Sequence, residues 1–509
     1  MGTSVAATKN AESHLSTWHR YPTLYEINTW VWLFELSQKY GRAVTLASIP
    51  AAEWDALASY GFEAVWLMGV WERSPAGIAI SNHNQGLVAD FRRALPDFLP
   101  EDNHGSAYCI RRYVVDAHLG GAEGLAIARQ ELAKRGMKLL LDFVPNHVAP
   151  DHPWVLEHSE YFIRGTPEDA RNEPSSYIEV QGKFYACGRD PNFPAWPDVL
   201  QLNAFAPGLR QAAQETVSGI AAQCDGVRCD MAMLVLNQIF ERTWSSRAGK
   251  SPSTDYWYDV IPAVKSVDPG FCFIAEAYWD LEWELQRQGF DFCYDKRLYD
   301  RLEQGDAAGI QLHLYADLAY QEKLLRFLEN HDEPRAAVIF SRSEEQAAAV
   351  IASSLPGARL FHEGQLEGRK IRLPVFLGRR PAEPVDQALR AFYEKLLAAI
   401  HAPIFHDGAW KLSGCSGWPD NQSCRNLLAW SWAKDNDRRL IAVNLSGGAV
   451  QARVQVPWEE VRGATWHLTD VFSDWSCDRD GNEMASKGLY IQLEGWDFNF
   501  FEFLRADRQ

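Results

Sequence analysis

Three acidic residues stand directly after, or within a few residues of, short apolar runs. Asp230 closes Gly226-Val227-Arg228-Cys229-Asp230, Glu276 closes Phe273-Ile274-Ala275-Glu276, and Asp332 follows Leu328-Glu329-Asn330-His331. A carboxylate in any one of these places reads as a helix N-cap or a surface ion pair. Three in the same register, with Arg228 two residues before Asp230 and His331 beside Asp332, point to chemistry. Glycoside hydrolysis uses such a set: one carboxylate attacks the anomeric carbon, and a carboxylic acid with a raised pKa protonates the leaving oxygen. Arg228 would hold the attacking group ionised. Divalent-metal hydrolysis also gathers carboxylates, but it wants more histidines at strand ends than His147 and His331 supply.

The elements that must position these residues alternate along the first 400 positions. Strands are expected at Tyr25 to Trp32, Ala64 to Met68, Lys138 to Phe143, Gly226 to Cys229, Phe271 to Ala275, Phe290 to Cys293, Leu324 to Leu328 and Ala358 to Phe361. Amphipathic stretches such as Gly124 to Arg135, Leu209 to Gln223, Gln346 to Ser353 and Asp386 to Ile400 lie between several of them. Repeated strand–helix alternation implies parallel strands with right-handed crossovers, and eight such strands fit an α/β fold of the (β/α)8 TIM barrel type. No GxGxxG turn follows a strand, which argues against a dinucleotide-binding sheet.

Two connections, from about Gly69 to Gly120 and from Pro145 to Pro207, are too long for simple loops and would emerge at the C-terminal face of a barrel. From about Pro403 the texture changes to short alternating segments such as Arg439 to Asn444 and Gln451 to Val456, with no convincing helix between them. The expected organisation is a barrel over 1–144 and 208–402, an excursion domain over 145–207, and a C-terminal all-β sandwich over 403–509.

Composition narrows the partners. Against 50 Lys and Arg stand 67 Asp and Glu, a formal charge of −17, which argues against a nucleic-acid or anionic membrane surface. No run approaches the roughly 18 apolar residues of a membrane span. Met1 to Tyr21 is polar without a signal-length apolar core, so a cytoplasmic location is expected. Nine cysteines, an odd number without a CxxC pair, indicate neither a zinc cluster nor a disulfide framework. The 20 tryptophans are a weak hint of sugar-stacking surfaces. Trp66, Trp71, Trp154, Trp196 and Trp279 could each be a platform, although packing is the ordinary role of such residues. Trp279 has the best case, three residues after Glu276. Trp430 and Trp432, two apart on one strand, read as sandwich core.

Leu141-Asp142-Phe143-Val144-Pro145-Asn146-His147, Gly226 to Asp230, Ile274-Ala275-Glu276-Ala277 and Phe327 to Asp332 occur in this order, and together they resemble the four signature segments of the α-amylase family, glycoside hydrolase family 13. Gly105-Ser106-Ala107-Tyr108, with Tyr113 five residues on, is similar to its sugar-stacking tyrosine segment. Trp196 to Asn203 is similar to its additional segment near the end of the excursion domain. The resemblance runs from about Tyr21 to Ile400. It implies a retaining enzyme with Asp230 as nucleophile, Glu276 as general acid/base and Asp332 as the third carboxylate. Tyr108, Asp142, His147, Arg228 and His331 would bind the attacked glucose, with Trp279 a further substrate contact, and the carboxylates would stand about 5–5.5 Å apart. The substrate would be an α-glucan or malto-oligosaccharide.

Departures from the family pattern bear on the details. Met233-Leu234 stands where many members carry Lys-His, which removes a polar contact to the leaving group and a carbonyl associated with calcium. Arg112 stands where an Asp is usual. No cofactor is required; calcium enters only through Asn146, which matches a calcium ligand of some members but reads here as a structural hydrogen-bonder. Transglycosylation or isomerisation of small α-glucosides stays open beside hydrolysis, as does a non-catalytic glycan-binding barrel.

Overall fold

The computed structural model describes residues 18–506. Eight parallel strands close a barrel: β1 (Thr23–Asn28), β2 (Ala64–Met68), β3 (Lys138–Phe143), β4 (Gly226–Cys229), β5 (Cys272–Ala275), β6 (Phe292–Tyr294), β7 (Leu324–Arg326) and β8 (Ala358–His362). Each pairs with its sequence neighbours, and β8 returns to β1 with Leu360 opposite Leu24. The strands are buried on both faces, which is why they read as continuous apolar runs rather than alternating ones. Trp66, Leu140, Ile274, Tyr294, Leu325 and Leu360 fill the interior as one packed cluster, so the barrel is a core and not a pore.

β1 is shorter than the sequence suggests. Thr29 and Val31 are β-branched and favour strand, yet the chain turns helical at Thr29–Tyr40 because Asn28 caps it, its side-chain oxygen accepting from the Val31 N–H. The strand expected over Phe290 to Cys293 lies at Phe292–Tyr294, and that expected over Leu324 to Leu328 stops early, at Leu324–Arg326. The polar stretch expected to lack a signal peptide falls mostly on residues 1–17, outside the described residues. No helix among the described residues is long and apolar enough to cross a membrane.

Both long connections leave the C-terminal ends of strands. The first carries helices Pro75–His83 and Gln85–Ala94 and a two-stranded ribbon, Trp71–Arg73 with Ile110–Val115. The second, between β3 and β4, holds a three-stranded sheet around Lys183–Ala186 and a short pairing of His147–Val148 with Leu200–Gln201. It has a small core of its own, including Val148, Phe162, Tyr185 and Leu200.

After helix Gln387–Ile400, a six-stranded and a three-stranded antiparallel sheet pack face to face. Two helices that the sequence did not suggest appear here: Ile404–Asp407 leads into the first strand, and Gly481–Lys487 lies between Ser476–Asp480 and Leu489–Leu493. Trp430 and Trp432 are fully buried, but at the seam with the barrel rather than in the interior between the two sheets. Both indole N–H groups donate to the main-chain oxygen of Ser354, at 3.2 and 2.7 Å, where helix Arg342–Ser354 ends. All nine cysteines are thiols, with Cys415 and Cys477 the two that are partly exposed.

Candidate active site

The barrel ladder continues past the strand ends into the acidic residues. The Asp230 N–H donates to the carbonyl of Phe143 at 2.8 Å, and the Glu276 N–H to that of Cys229 at 3.1 Å. Two of the three carboxylates therefore sit on sheet backbone rather than on loops, at the face where barrel enzymes build their sites. Directly after Asp230 the backbone of Met231 enters the left-handed region, φ 42°, which is uncommon for a residue with a side chain. That turn aims the Met231 N–H at Glu276, whose Oε2 accepts it.

Arg228, buried beneath the mouth, joins the carboxylates. Its Nη1 lies 2.7 Å from Asp230 Oδ1 and its Nη2 2.8 Å from Glu276 Oε2. The first contact is a directed hydrogen bond; the second is ionic, without hydrogen-bond alignment. Asp142 Oδ1 and Asp332 Oδ2 each approach the same guanidinium to 3.9 Å. The rings of Trp66, Tyr108 and Tyr294 surround the cation at 5.3, 5.1 and 5.8 Å. A planar guanidinium can serve two carboxylates at once while stacking on aromatic faces, which a lysine could not do.

The environments push the carboxylates apart in acidity. Burial, reinforced by the charges of Asp230 and Asp332 and opposed by Arg228, raises Glu276 to about 8. The Tyr278 hydroxyl donates to its Oε1 at 3.1 Å. Asp332 is half exposed at the rim, and the imidazolium of His331 outweighs its desolvation and lowers it to about 2. His331 is itself held charged: burial works against the proton, but carboxylates of Asp332 and Glu26 contact Nε2 and Nδ1 and raise it well above the usual histidine range. Burial raises Asp142 to about 6, and it lowers His147, which favours a neutral ring. The site thus pairs a proton-bearing Glu276 with an ionised Asp332, the separation that acid–base chemistry needs.

A cavity of about 630 Å³ opens above this group. Tyr108, His147, Asp230, Glu276 and Asp332 reach its wall. Asp142, Arg228 and His331 lie beneath that wall and act on it through their neighbours. Tyr108 stacks on His331 with ring centroids 5.3 Å apart, and its hydroxyl is 2.7 Å from Nε2.

Trp279 does not join the wall. Trp279 and Asp280 both have left-handed backbone, at φ 61° and 65°, and the Trp279 ring packs against the barrel–helix core while Tyr278 faces the cavity. Of the five candidate platforms Trp196 is the one that lines it, with Phe193 and Pro194 beside it and Phe376 also on the wall. Glu26 and Tyr278 were missed from sequence. An acidic residue inside the apolar run Tyr25-Glu26-Ile27 was the available signal for the first.

Met233 and Leu234 are buried in the short helix Ala232–Val235, so they pack rather than border the cavity. Asn146 is also buried. Its side-chain and main-chain oxygens both accept from the Gln201 amide, at 2.8 and 2.9 Å, so a hydrogen-bond donor stands where a cation would need to be, and calcium does not fit. Among the described residues, the group of His, Cys, Asp or Glu able to converge on a metal is His19, Glu63 and His406. It lies at the N-terminal side of β1 and β2, on the face opposite the cavity.

Residues 53–288 match the family model for the alpha-amylase catalytic domain. The chain is 25% identical over 463 residues to the alpha-amylase MalA of Haloarcula japonica, covering 87% of this chain and 58% of that protein. It is 25% identical over 233 residues to an alpha-1,4-glucan:maltose-1-phosphate maltosyltransferase of Bifidobacterium longum, covering 43% and 24%. The chain thus spans little more than half of MalA and a quarter of the transferase. The fold matches that of the noncanonic maltogenic alpha-amylase AmyB from Thermotoga neapolitana, with a TM-score of 0.67 at 20% identity over 95% of this chain and 99% of the other. The resemblance carried by the four strand-end segments is borne out, and so is the barrel with a C-terminal all-β domain.

Proposed function

We propose that this chain, whose barrel resembles the α-amylase family, is a retaining enzyme that cleaves α-glucosidic bonds in malto-oligosaccharides or α-glucan. The observation that carries this reading is the single guanidinium of Arg228, which sets Asp230 and Glu276 side by side in the wall of one cavity. Adjacent carboxyl groups on one cation support the close spacing of retaining glycosidases over the wider inverting arrangement.

In the first step the Asp230 carboxylate attacks the anomeric carbon and the glycosidic C–O bond breaks. Glu276 gives its proton to the departing oxygen, and a glucosyl ester forms on Asp230. In the second step Glu276, now ionised, takes a proton from an incoming hydroxyl whose oxygen displaces Asp230. Positive charge that develops on the sugar ring in the transition state of each step is met by the ionised carboxylate of Asp332, while the bond to Asp230 is only partly formed or broken. Tyr108 and Trp196 offer ring faces to the sugar, and His147 a neutral hydrogen-bonding group.

Incubation with maltotriose tests the reading. Hydrolysis gives only shorter sugars, the new reducing end appearing first as the α-anomer; transfer gives longer or rearranged ones. Release of the β-anomer, or full turnover by Asp230→Asn, would sink it.

A further inference from the structure

We propose that Gln201 is the positioning residue of the cavity, and that its carboxamide holds the excursion to the barrel mouth in the way an oxygen-bound cation would, without a metal. Gln201 is fully buried. Its Nε2 has three oxygens around it: Asn146 Oδ1 at 2.8 Å, Asn146 O at 2.9 Å and Leu202 O at 2.9 Å. Its Oε1 accepts from the Arg189 N–H and from Asn146 Nδ2, both at 3.3 Å. Two of the oxygens are main-chain carbonyls and the Arg189 donor is a main-chain N–H, so the orientation of the amide is fixed by groups that cannot turn over. The two carboxamides, Asn146 and Gln201, form a closed head-to-tail pair.

Three converging oxygens, two from peptide carbonyls and one from an amide side chain, make the kind of shell that hard cations use, at about 2.3–2.6 Å for calcium. Here the centre is a nitrogen at hydrogen-bond distance. Its N–H groups serve the Asn146 side-chain oxygen and the Leu202 carbonyl, and add a second donor to the Asn146 carbonyl, which also accepts from the Leu202 N–H at 3.0 Å. The clip bears directly on the wall. Gln201 stands opposite His147 in the short ladder that joins the excursion to the end of β3. The segment between Arg189 and Gln201 carries Phe193 and Trp196, and both of its ends are tied to the same amide or its ladder. Loss of the amide would therefore displace His147 and the aromatic wall together while leaving Asp230 and Glu276 on the barrel ladder.

The stability arm of the test does not depend on the reading of the cavity as an active site; the kinetic arm does. The wild-type melting temperature is measured after exhaustive EDTA treatment and again with added calcium chloride, and the two should coincide. In Gln201→Glu a carboxylate replaces the donor among the same oxygens; it should melt lower than wild type in EDTA and recover with calcium. Isothermal titration should then detect calcium binding to Gln201→Glu and none to wild type. Gln201→Ala should lose on the order of 10- to 100-fold in kcat/KM on maltotriose through displaced substrate contacts, mainly as a raised KM.

A wild-type melting temperature that falls in EDTA and returns with calcium overturns the proposal, and that measurement stands even if the variants fail to fold. Gln201→Glu that binds no calcium, or Gln201→Ala with wild-type kcat/KM, overturns it as well. Loss of all maltotriose turnover by the wild type, with the EDTA and calcium results as expected, would instead count against the proposed activity.

Discussion

The main-chain N–H of Met231 donates to the carboxylate of Glu276, so the residue that follows one acidic group of the site holds the other. The hydrogen bond exists because Met231 adopts left-handed backbone between Asp230 and the buried helix Ala232–Val235. A β-branched residue tolerates that conformation poorly, at a cost of about 1–3 kcal/mol. Met231→Val is expected to lower kcat, whereas Met231→Gly, free to take the same φ, should keep it. The N–H favours ionised Glu276, so its loss in Met231→Val should also move the alkaline limb of the pH profile upward. Equal kcat and equal pH profiles for the two variants would show that this turn does not hold Glu276.

The acidity of Glu276 sets a second expectation. As the proton donor it must be protonated, so kcat/KM should fall as pH rises through about 8. Stability follows the same sign. A carboxyl raised on folding stabilises fully below its unfolded value of about 4.3, and this is lost progressively as pH rises through the folded value. The wild-type melting temperature should decline between pH 6 and 9 more steeply than that of Glu276→Gln, which has no proton to lose. Parallel melting curves across that range would contradict the raised value.

The roles of Asp230 and Glu276 separate by leaving group. Glu276→Gln should lose about 10²- to 10⁴-fold on maltotriose, the usual contribution of a general acid. It should form the glucosyl-enzyme much faster from an aryl α-glucoside whose phenolate departs without a proton. Asp230→Asn should be inactive on both. A variant of Asp230 that still reacts with the aryl substrate would reverse the assignment.

Glu26 supplies the fourth expectation. Its carboxylate is fully buried and contacts the charged His331, so breaking the pair leaves a buried imidazolium with one partner fewer. Glu26→Gln is expected to cost about 3–5 kcal/mol by denaturant unfolding, the range for breaking buried ion pairs. Because His331 is raised on folding, its contribution is present below the unfolded value and lost as pH rises through the folded one. The difference between wild type and Glu26→Gln should therefore shrink at alkaline pH. A difference that grows with pH would contradict a charged His331.

The barrel and its carboxylates were legible because buried parallel strands leave continuous apolar runs, and a charge at the end of such a run has few other places to go. Positions 29–32 misled because Thr29, Trp30, Val31 and Trp32 satisfy strand preferences, while the Asn28 cap that overrides them acts through one side-chain oxygen. Trp279 and Tyr278 are adjacent in sequence, and only the two left-handed residues at 279 and 280 decide which ring meets the cavity. Gln201 lies in the segment Trp196 to Asn203 that the sequence marks, but its role was not legible there, since an amide shows its purpose only when tertiary folding has gathered the oxygens around it. Trp430 and Trp432 were expected in a core, but the sequence does not say whose core.

Those two indoles, both donating to the Ser354 carbonyl, make the last turn of a barrel helix depend on the C-terminal sheets. Their cluster runs without a break from Ala348 and Ile351 on that helix to Ile441 and Phe500 on the sandwich. The two units are therefore expected to unfold as one body, heat dissolving them in a single transition. A chain cut near Ile400 would be left with a bare apolar flank, prone to self-association, in place of a smaller working barrel.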